Sequence, residues 1–69
     1  MSVLYRYSNG KQWGERPDLS SAAIIRVYVE GADSSGYFRC WEYNNGIIER
    51  KWCPASGYIS EIHEFCRVG

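Results

Sequence analysis

Arginines and aromatic rings occupy every second position of three consecutive segments, and this pattern constrains the fold more than any other feature. A spacing of two residues is the period of a β-strand, in which residues i and i+2 lie on the same face. The three sets are Ile24-Arg26-Tyr28, Tyr37-Arg39-Trp41-Tyr43 and Ile48-Arg50-Trp52. Antiparallel pairing of these segments predicts a single sheet face that carries all of them. The intervening residues, such as Val27, Val29 and Cys40, are expected on the opposite, buried face.

The register of these strands depends on the turns that join them. Asn45-Gly46 is typical of a two-residue type I′ turn, which needs a positive φ at both positions. The pairs that follow from this turn are Tyr43 with Ile48, Trp41 with Arg50 and Arg39 with Trp52. The loop over 31–36 is expected to oppose Glu30 to Tyr37, Tyr28 to Arg39 and Arg26 to Trp41. A three-residue loop that begins at Asn44 would shift one strand by one residue and break this arrangement.

The predicted arrangement is a grid of guanidinium groups and rings on one face. Each exposed contact between an arginine and a ring contributes about 0.5–1 kcal/mol. We predict that this face is a partner-binding surface, formed by Arg26, Tyr28, Tyr37, Arg39, Trp41, Tyr43, Arg50 and Trp52. In the alternative assignment this face is the buried one, because Glu42, Glu49 and Lys51 mark the other face as solvated.

A second hairpin is predicted near the N-terminus. Residues 3–7 and 11–13 have the composition of β-strands, and Asn9-Gly10 between them again predicts a hairpin turn. The expected pairs are Ser8 with Lys11 and Arg6 with Trp13. The stretch 14–22 contains Pro17 and is expected to be a loop with one helical turn.

The C-terminal stretch 58–66 fits either a helix or a strand. On a helix, Ile59, Ile62, His63 and Cys66 form one stripe at spacings of three and four residues. A strand beside residues 47–52 would bring Glu61 near Glu49, which is unfavourable. The predicted fold is therefore mainly β, of the α+β class: an antiparallel sheet of four to five strands built from hairpins, with a short C-terminal helix packed on one face. A five-stranded small β-barrel is the alternative.

Length and composition indicate one domain, 1–69, with a thin core. A chain of 69 residues buries only about 60% of its unfolded surface. Hydrophobic residues at 45% and aromatic residues at 16% exclude a disordered chain. The odd number of cysteines, three, favours reduced thiols and a cytoplasmic protein. No apolar run approaches the length of a membrane span, so no membrane partner is expected.

Metal binding and catalysis have only weak signals. Three cysteines and one histidine, Cys40, Cys53, His63 and Cys66, would suffice for a tetrahedral zinc, but no Cys-x-x-Cys motif occurs. Cysteine is also a common core residue, so buried thiols without a metal or cofactor are the favoured interpretation. His63 lacks an orienting group on a helix, and no nucleophile or phosphate-binding motif is present. We expect that the protein is not an enzyme.

The function expected from these features is binding. The small size of the chain and its lack of catalytic groups favour a binding role. We expect a protein that occupies a surface of a larger macromolecular partner, as an adaptor or an inhibitor of the kind that phages and mobile elements carry. Tyrosine, tryptophan and arginine dominate binding energy at protein interfaces. The alternative is a single-stranded nucleic-acid-binding module, in which the rings stack on bases and Arg26, Arg39 and Arg50 contact phosphates.

Charge bears on both alternatives. The net charge is zero, which argues against a nonspecific nucleic-acid binder, although six of the eight cations are arginine. Nucleic-acid binding therefore requires that Glu30, Glu42 and Glu49 point away from the arginine face, as the predicted register allows. Homodimerisation through the aromatic face is also compatible with a thin core.

Overall fold

The residues that the structure describes, 2–57 and 60–68 of a computed structural model, form six strands in one antiparallel sheet. The strands are β1 (Ser2–Ser8), β2 (Lys11–Gly14), β3 (Ile24–Asp33), β4 (Gly36–Tyr43), β5 (Ile47–Pro54) and β6 (Ile62–Arg67). Their order is β2-β1-β6-β5-β4-β3, so β2 and β3 are the edges of an open sheet. The mainly β, antiparallel prediction is confirmed. The predicted four to five strands and the barrel alternative are wrong.

The N-terminal hairpin is confirmed in detail. Asn9 and Gly10 both have positive φ angles, 50° and 89°, as a type I′ turn requires. Ser8 pairs with Lys11, and the register continues along β1 and β2 so that Arg6 lies opposite Trp13. Local turn chemistry is therefore sufficient to set this register.

The register predicted between β4 and β5 is wrong by one residue. The loop has three residues, 44–46, and only Gly46 among them has a positive φ, 84°. A type I turn followed by one residue in the left-handed region is the usual form of such a loop. The observed pairs are Phe38 with Trp52, Arg39 with Lys51, Cys40 with Arg50, Trp41 with Glu49 and Glu42 with Ile48.

The register predicted between β3 and β4 is also wrong. Irregularities between Ile24 and Arg26 and between Glu30 and Asp33 displace the pairing, and the observed pairs are Arg26 with Glu42, Val27 with Trp41, Tyr28 with Cys40, Val29 with Arg39 and Glu30 with Phe38. β3 continues to Asp33, whose carboxylate accepts hydrogen bonds from the amides of Ser35 (2.8 Å) and Gly36 (3.2 Å). These bonds stabilise a tight turn where a longer loop was expected. The Ser35 hydroxyl also donates to the same carboxylate (2.6 Å), and this bond, followed by that from the Ser35 amide, lowers the pKa of Asp33.

The helix predicted over 58–66 is wrong for the residues that the structure describes; residues 58 and 59 lie outside them. β6 lies between β1 and β5 and pairs with both. Glu61 does not oppose Glu49 as expected for a strand, because Phe65 lies opposite Glu49. Phe65 and Cys66 are 2% and 1% exposed on opposite faces of the sheet. A strand buried on both faces has no alternating pattern, which is why the sequence resembles a helix here.

Strand alternation divides the side chains between two faces, which we call the core face and the ion-pair face. The core face carries the buried cluster of Tyr5, Ile47 and Phe65. The ion-pair face carries the charged side chains Arg6, Arg26, Glu30, Glu42, Arg50 and Glu64. It also carries Cys40 and Cys66, both of which are buried.

The segment 15–23 runs from one edge strand to the other and covers part of the core face. The chain leaves β2 at Gly14, which has a φ of +80° and approaches the backbone of Leu4 too closely for any Cβ. Leu19 packs against the buried cluster, and the guanidinium of Arg16 lies 5.2 Å from the centre of the Phe65 ring. This segment covers the part of the core face that β1 and β6 form, whereas Val27 and Val29, which the predicted helix was expected to cover, are exposed.

Candidate partner-binding surface

Three of the predicted binding residues lie together on the core face, close to the β3 edge. Alternation along β4 places Tyr37, Arg39 and Trp41 on this face. The register with β3 places Val27 opposite Trp41 and Val29 opposite Arg39. We call these five residues the valine–aromatic surface. Its two valines were not predicted as binding residues, because the predicted register buried them beneath a helix.

The valine–aromatic surface is accessible to a partner. Val27, Val29 and Tyr37 are 49%, 56% and 37% exposed. Arg39 is exposed as well, and its guanidinium lies 5.7 Å from the centre of the half-buried Trp41 ring. Contiguous exposed apolar side chains around a cation are typical of an interaction surface rather than of ordinary solvated surface.

Tyr43 is the fourth predicted binding residue on this face, but its contacts are with other residues of the folded chain. Its hydroxyl donates a hydrogen bond to Glu49 Oε1 (2.8 Å), and the ring packs beside the buried cluster. Burial, together with the adjacent Glu49 carboxylate, raises the pKa of Tyr43. The second oxygen of Glu49 lies 2.7 Å from His63 Nε2. These contacts tie β4, β5 and β6 together on the core face.

The other four predicted residues, Arg26, Tyr28, Arg50 and Trp52, lie on the ion-pair face. The predicted grid is therefore wrong, because a one-residue shift of register moves every side chain of a strand to the other face. Single stacking contacts remain. Arg26 lies 4.2 Å from the centre of the Tyr28 ring, and Arg50 lies 4.2 Å from that of Phe38.

Carboxylates accompany the arginines on the ion-pair face. Arg26 Nε lies 3.3 Å from Glu42, and the two terminal nitrogens of Arg50 lie 3.1 Å from Glu30 and 2.6 Å from Glu64. The prediction that Glu30 and Glu42 point away from the arginines is wrong. Each guanidinium is thus neutralised by a neighbour within the sheet.

Glu64 is the most important residue that sequence reasoning missed. Glu64 lies in the stretch for which a helix was predicted, but the residue is only 5% exposed, and its carboxylate lies between Arg50 and the more distant Arg6 (3.9 Å). Burial alone would lower the pKa of Arg50, but Glu64, together with Cys40 and Glu30, raises it above its usual value. No local pattern marks Glu64, since Arg50 is fourteen residues away in sequence.

The four residues considered for zinc do not converge. Cys40 and Cys66 lie on the ion-pair face, whereas alternation places Cys53 and His63 on the core face. No group of three metal-ligating side chains occurs within residues 2–57 and 60–68. Burial raises the pKa of the Cys40 and Cys66 thiols, which are 0% and 1% exposed.

The described part of the chain contains no helix of the length and apolarity needed to cross a membrane. No family model matches the sequence, and neither the curated proteins nor the solved structures contain a significant match to it.

Proposed function

We propose that this protein is a small non-enzymatic binding protein that occupies a surface of a larger protein partner, as an adaptor or an inhibitor. The observation that carries the proposal is the exposure of Val27, Val29 and Tyr37 around Arg39 and Trp41. Such a group combines apolar area with rigid rings and one cation, which is the composition of interface hot spots. An apolar protein surface with an acidic side chain placed near Arg39 is the complementary partner.

The arrangement of charge supports a protein partner over single-stranded nucleic acid. Three of the six arginines, Arg6, Arg26 and Arg50, lie within ion-pair distance of carboxylates. A phosphate would have to displace those carboxylates, and nonspecific binding depends on several cations along one track. The valine–aromatic surface contributes Arg39, and exposed Lys51 lies directly opposite it on β5, so this part of the core face offers two cations to such a track.

The environment of the nucleophilic groups supports a non-enzymatic role. Buried Cys40 and Cys66 have raised pKa values, so their reactive thiolate forms are disfavoured at neutral pH. The His63 ring is engaged with Glu49, which is itself bound to Tyr43. All three cysteines are free thiols, which fits a reducing, cytoplasmic compartment.

The proposal is tested by comparing two double variants as affinity baits. Arg39→Ala/Trp41→Ala removes a cation and an indole from the valine–aromatic surface. The matched control, Lys11→Ala/Trp13→Ala, removes the same two groups from the far edge strand, where Trp13 is 55% exposed. Both variants should keep the wild-type circular dichroism spectrum. The wild-type protein, both variants and a nuclease-treated sample are then used to retain proteins from lysate of cells that naturally produce the chain.

A stoichiometric protein that the wild type and the control variant retain after nuclease treatment, and that Arg39→Ala/Trp41→Ala loses, is the expected result. The affinity for the purified partner should fall by at least about tenfold in that variant, since hot-spot residues contribute about 2 kcal/mol or more. Equal retention by both variants would place the binding site elsewhere. Retention that disappears on nuclease treatment would favour the nucleic-acid alternative.

A further inference from the structure

The β3 edge strand is built differently from the β2 edge strand. β2 has four residues, whereas β3 has ten and bears the most exposed aliphatic side chains of the sheet. Ile24, Ile25, Val27 and Val29 are 51%, 60%, 49% and 56% exposed. An edge strand also presents unpaired backbone amides and carbonyls, and natural proteins usually protect a long one with prolines or lysines. β3 contains neither residue.

The middle of β3 is regular and self-complementary. The pairing irregularities lie at either end, and the segment from Arg26 to Glu30 runs without interruption along β4. Tyr28 is its centre, with a valine on each side and opposite charges at its two ends. In antiparallel pairing of this segment with a second copy, an axis through Tyr28 opposes Arg26 to Glu30 of the second copy and Val27 to Val29.

We propose that the protein forms a two-fold dimer in which β3 pairs antiparallel with β3 of a second copy, centred on Tyr28, so that the two sheets become one. Residues at equal distances on either side of Tyr28 are separated by an even number of positions. Their side chains therefore lie on the same face, and their backbone N–H and C=O groups point toward the same edge of the strand. The outward amides of one copy therefore meet the outward carbonyls of the other. The ion-pair faces of the two copies then form one continuous face of the joined sheet, and the two core faces form the other.

Charge complementarity selects this register over its neighbours. A two-fold axis through Val27 would place Arg26 of one copy opposite Tyr28 of the other. An axis through Val29 would place Arg26 of one copy opposite Ala32 of the other. Opposite charges directly across an antiparallel pair are stabilising, and like charges are destabilising. Only the axis through Tyr28 pairs both charged residues of the regular segment with a charge of opposite sign.

Both charged residues remain able to contact a second copy. The side chains of Arg26 and Glu30 are 63% and 53% exposed, although Arg26 contacts Glu42 and Glu30 contacts Arg50 within the chain. A guanidinium has five donors and a carboxylate has two acceptor oxygens, so each can serve two partners. The dimer would extend the series Glu64, Arg50, Glu30 with Arg26 and then Glu42 of the second copy. The charges alternate in sign throughout this series.

This inference does not rest on the proposed partner. It uses the outer edge of β3, whereas the partner test removes Arg39 and Trp41, which lie on β4. The two proposals can therefore fail separately. If both hold, the valine–aromatic surfaces of two copies meet at the paired valines and form one wider surface.

The test is complementation between two charge-reversed chains, measured by sedimentation equilibrium and native mass spectrometry. Arg26→Glu opposes two carboxylates across the axis, and Glu30→Arg opposes two guanidinium groups. Each variant alone should dimerise at least about tenfold more weakly than the wild type. An equimolar mixture should restore a heterodimer, because the carboxylate introduced at position 26 of one chain then lies opposite the guanidinium introduced at position 30 of the other. Each variant chain has the same internal contacts whether it is measured alone or in the mixture. Recovery of dimerisation in the mixture therefore results from contact between the two chains.

A matched control and a cross-link define the register. Lys11→Glu on β2 should leave dimerisation unchanged. In a Cys40→Ala/Cys53→Ser background, which removes the thiol opposite Tyr28 within the chain, Tyr28→Cys should form an intermolecular disulfide under mild oxidation, since paired Cα atoms lie about 4.5–5.5 Å apart. Ile24→Cys should not, because the two copies of this residue would lie about 27 Å apart along the strand. A monomeric wild type at millimolar concentration, mixtures without recovery, or equal cross-linking of the two cysteine variants would overturn the proposal.

Discussion

Two hairpins of this protein carry the same Asn-Gly dipeptide but turn in different ways. At Asn9-Gly10 both residues have positive φ, and the loop has two residues. At Asn45-Gly46 only the glycine does, and the loop begins one residue earlier, at Asn44. The dipeptide alone therefore does not determine the turn.

The two loops share a contact that reaches beyond their own hairpin. The first loop residue, Asn9 or Asn44, exchanges two hydrogen bonds with the residue that precedes a neighbouring strand. Asn9 binds Glu61, just before β6, with distances of 2.9 and 2.8 Å. Asn44 binds Ala23, just before β3, with distances of 2.9 and 3.1 Å. Each loop thus anchors the start of an adjacent strand.

The hairpins differ in what depends on their register. All residues of β2 are exposed, so the local preference of Asn9-Gly10 meets no opposition. β5 lies between β4 and β6, and its Arg50 is the close partner of buried Glu64. A two-residue loop at Asn45-Gly46 would move Arg50 to the core face and leave Glu64 without that partner. The buried ion pair therefore outweighs the preference of the dipeptide.

Deletion of Asn44 should have the largest effect, because it forces the two-residue turn and shifts β5 by one residue. Glu64 is buried and Arg50 is half-buried, so loss of their ion pair should cost about 3 kcal/mol, the lower end of the range for buried pairs and a large share of the stability of a chain this small. We expect no cooperative thermal transition by circular dichroism. The control inserts one glycine after Gly10, where the exposed β2 should accommodate the change at about 1 kcal/mol or less. A deletion variant that melts like the wild type would contradict this account of the register.

Substitution of the two anchoring asparagines should have a smaller and unequal effect. Asn44→Ala removes a side-chain hydrogen bond at about 1 kcal/mol. Asn9→Ala should cost about 2 kcal/mol, since alanine is also strained by about 1 kcal/mol at the φ of 50°. Asn9→Gly should recover the strain but not the hydrogen bond. Urea denaturation of the three variants measures these differences, and equal losses for Asn9→Ala and Asn44→Ala would argue against the strain.

Alkaline pH should have the smallest effect and should act through Cys40 on β4 and Cys66 on β6. Burial raises the pKa of Cys40 and of Cys66, so the folded state holds their protons more tightly than the unfolded state. This stabilisation is present below the pKa of an unfolded cysteine, about 8.5, and is lost as the pH rises through the folded values. Urea midpoints should therefore fall as the pH rises above about 8.5. Cys40→Ala should flatten that slope, and an unchanged slope would assign the effect to other groups.

Features that depend on residues close together in sequence were mostly predicted correctly, whereas features that depend on residues far apart in sequence were not. The Asn9-Gly10 register involves residues a few positions apart, and it was predictable in full. The position of the β4–β5 hairpin was predictable from Asn45-Gly46, but its register was not, because that depends on Glu64, which pairs with Arg50 from fourteen residues away in sequence. Three of the eight predicted binding residues, Tyr37, Arg39 and Trp41, share an exposed surface. Val27 and Val29 were missed because the predicted C-terminal helix was expected to cover them.

The sequence by itself determined that the chain forms antiparallel strands, where most of the strands lie and where the turns between them occur. Period-two alternation and glycine or asparagine at turns are local properties, so they can be recognised without the rest of the chain. Only the tertiary structure decided that β6 inserts between β1 and β5, that β3 is an edge and which face each side chain occupies. These choices depend on burial and ion pairing between residues far apart in sequence, and a shift of one residue in a strand reverses its faces.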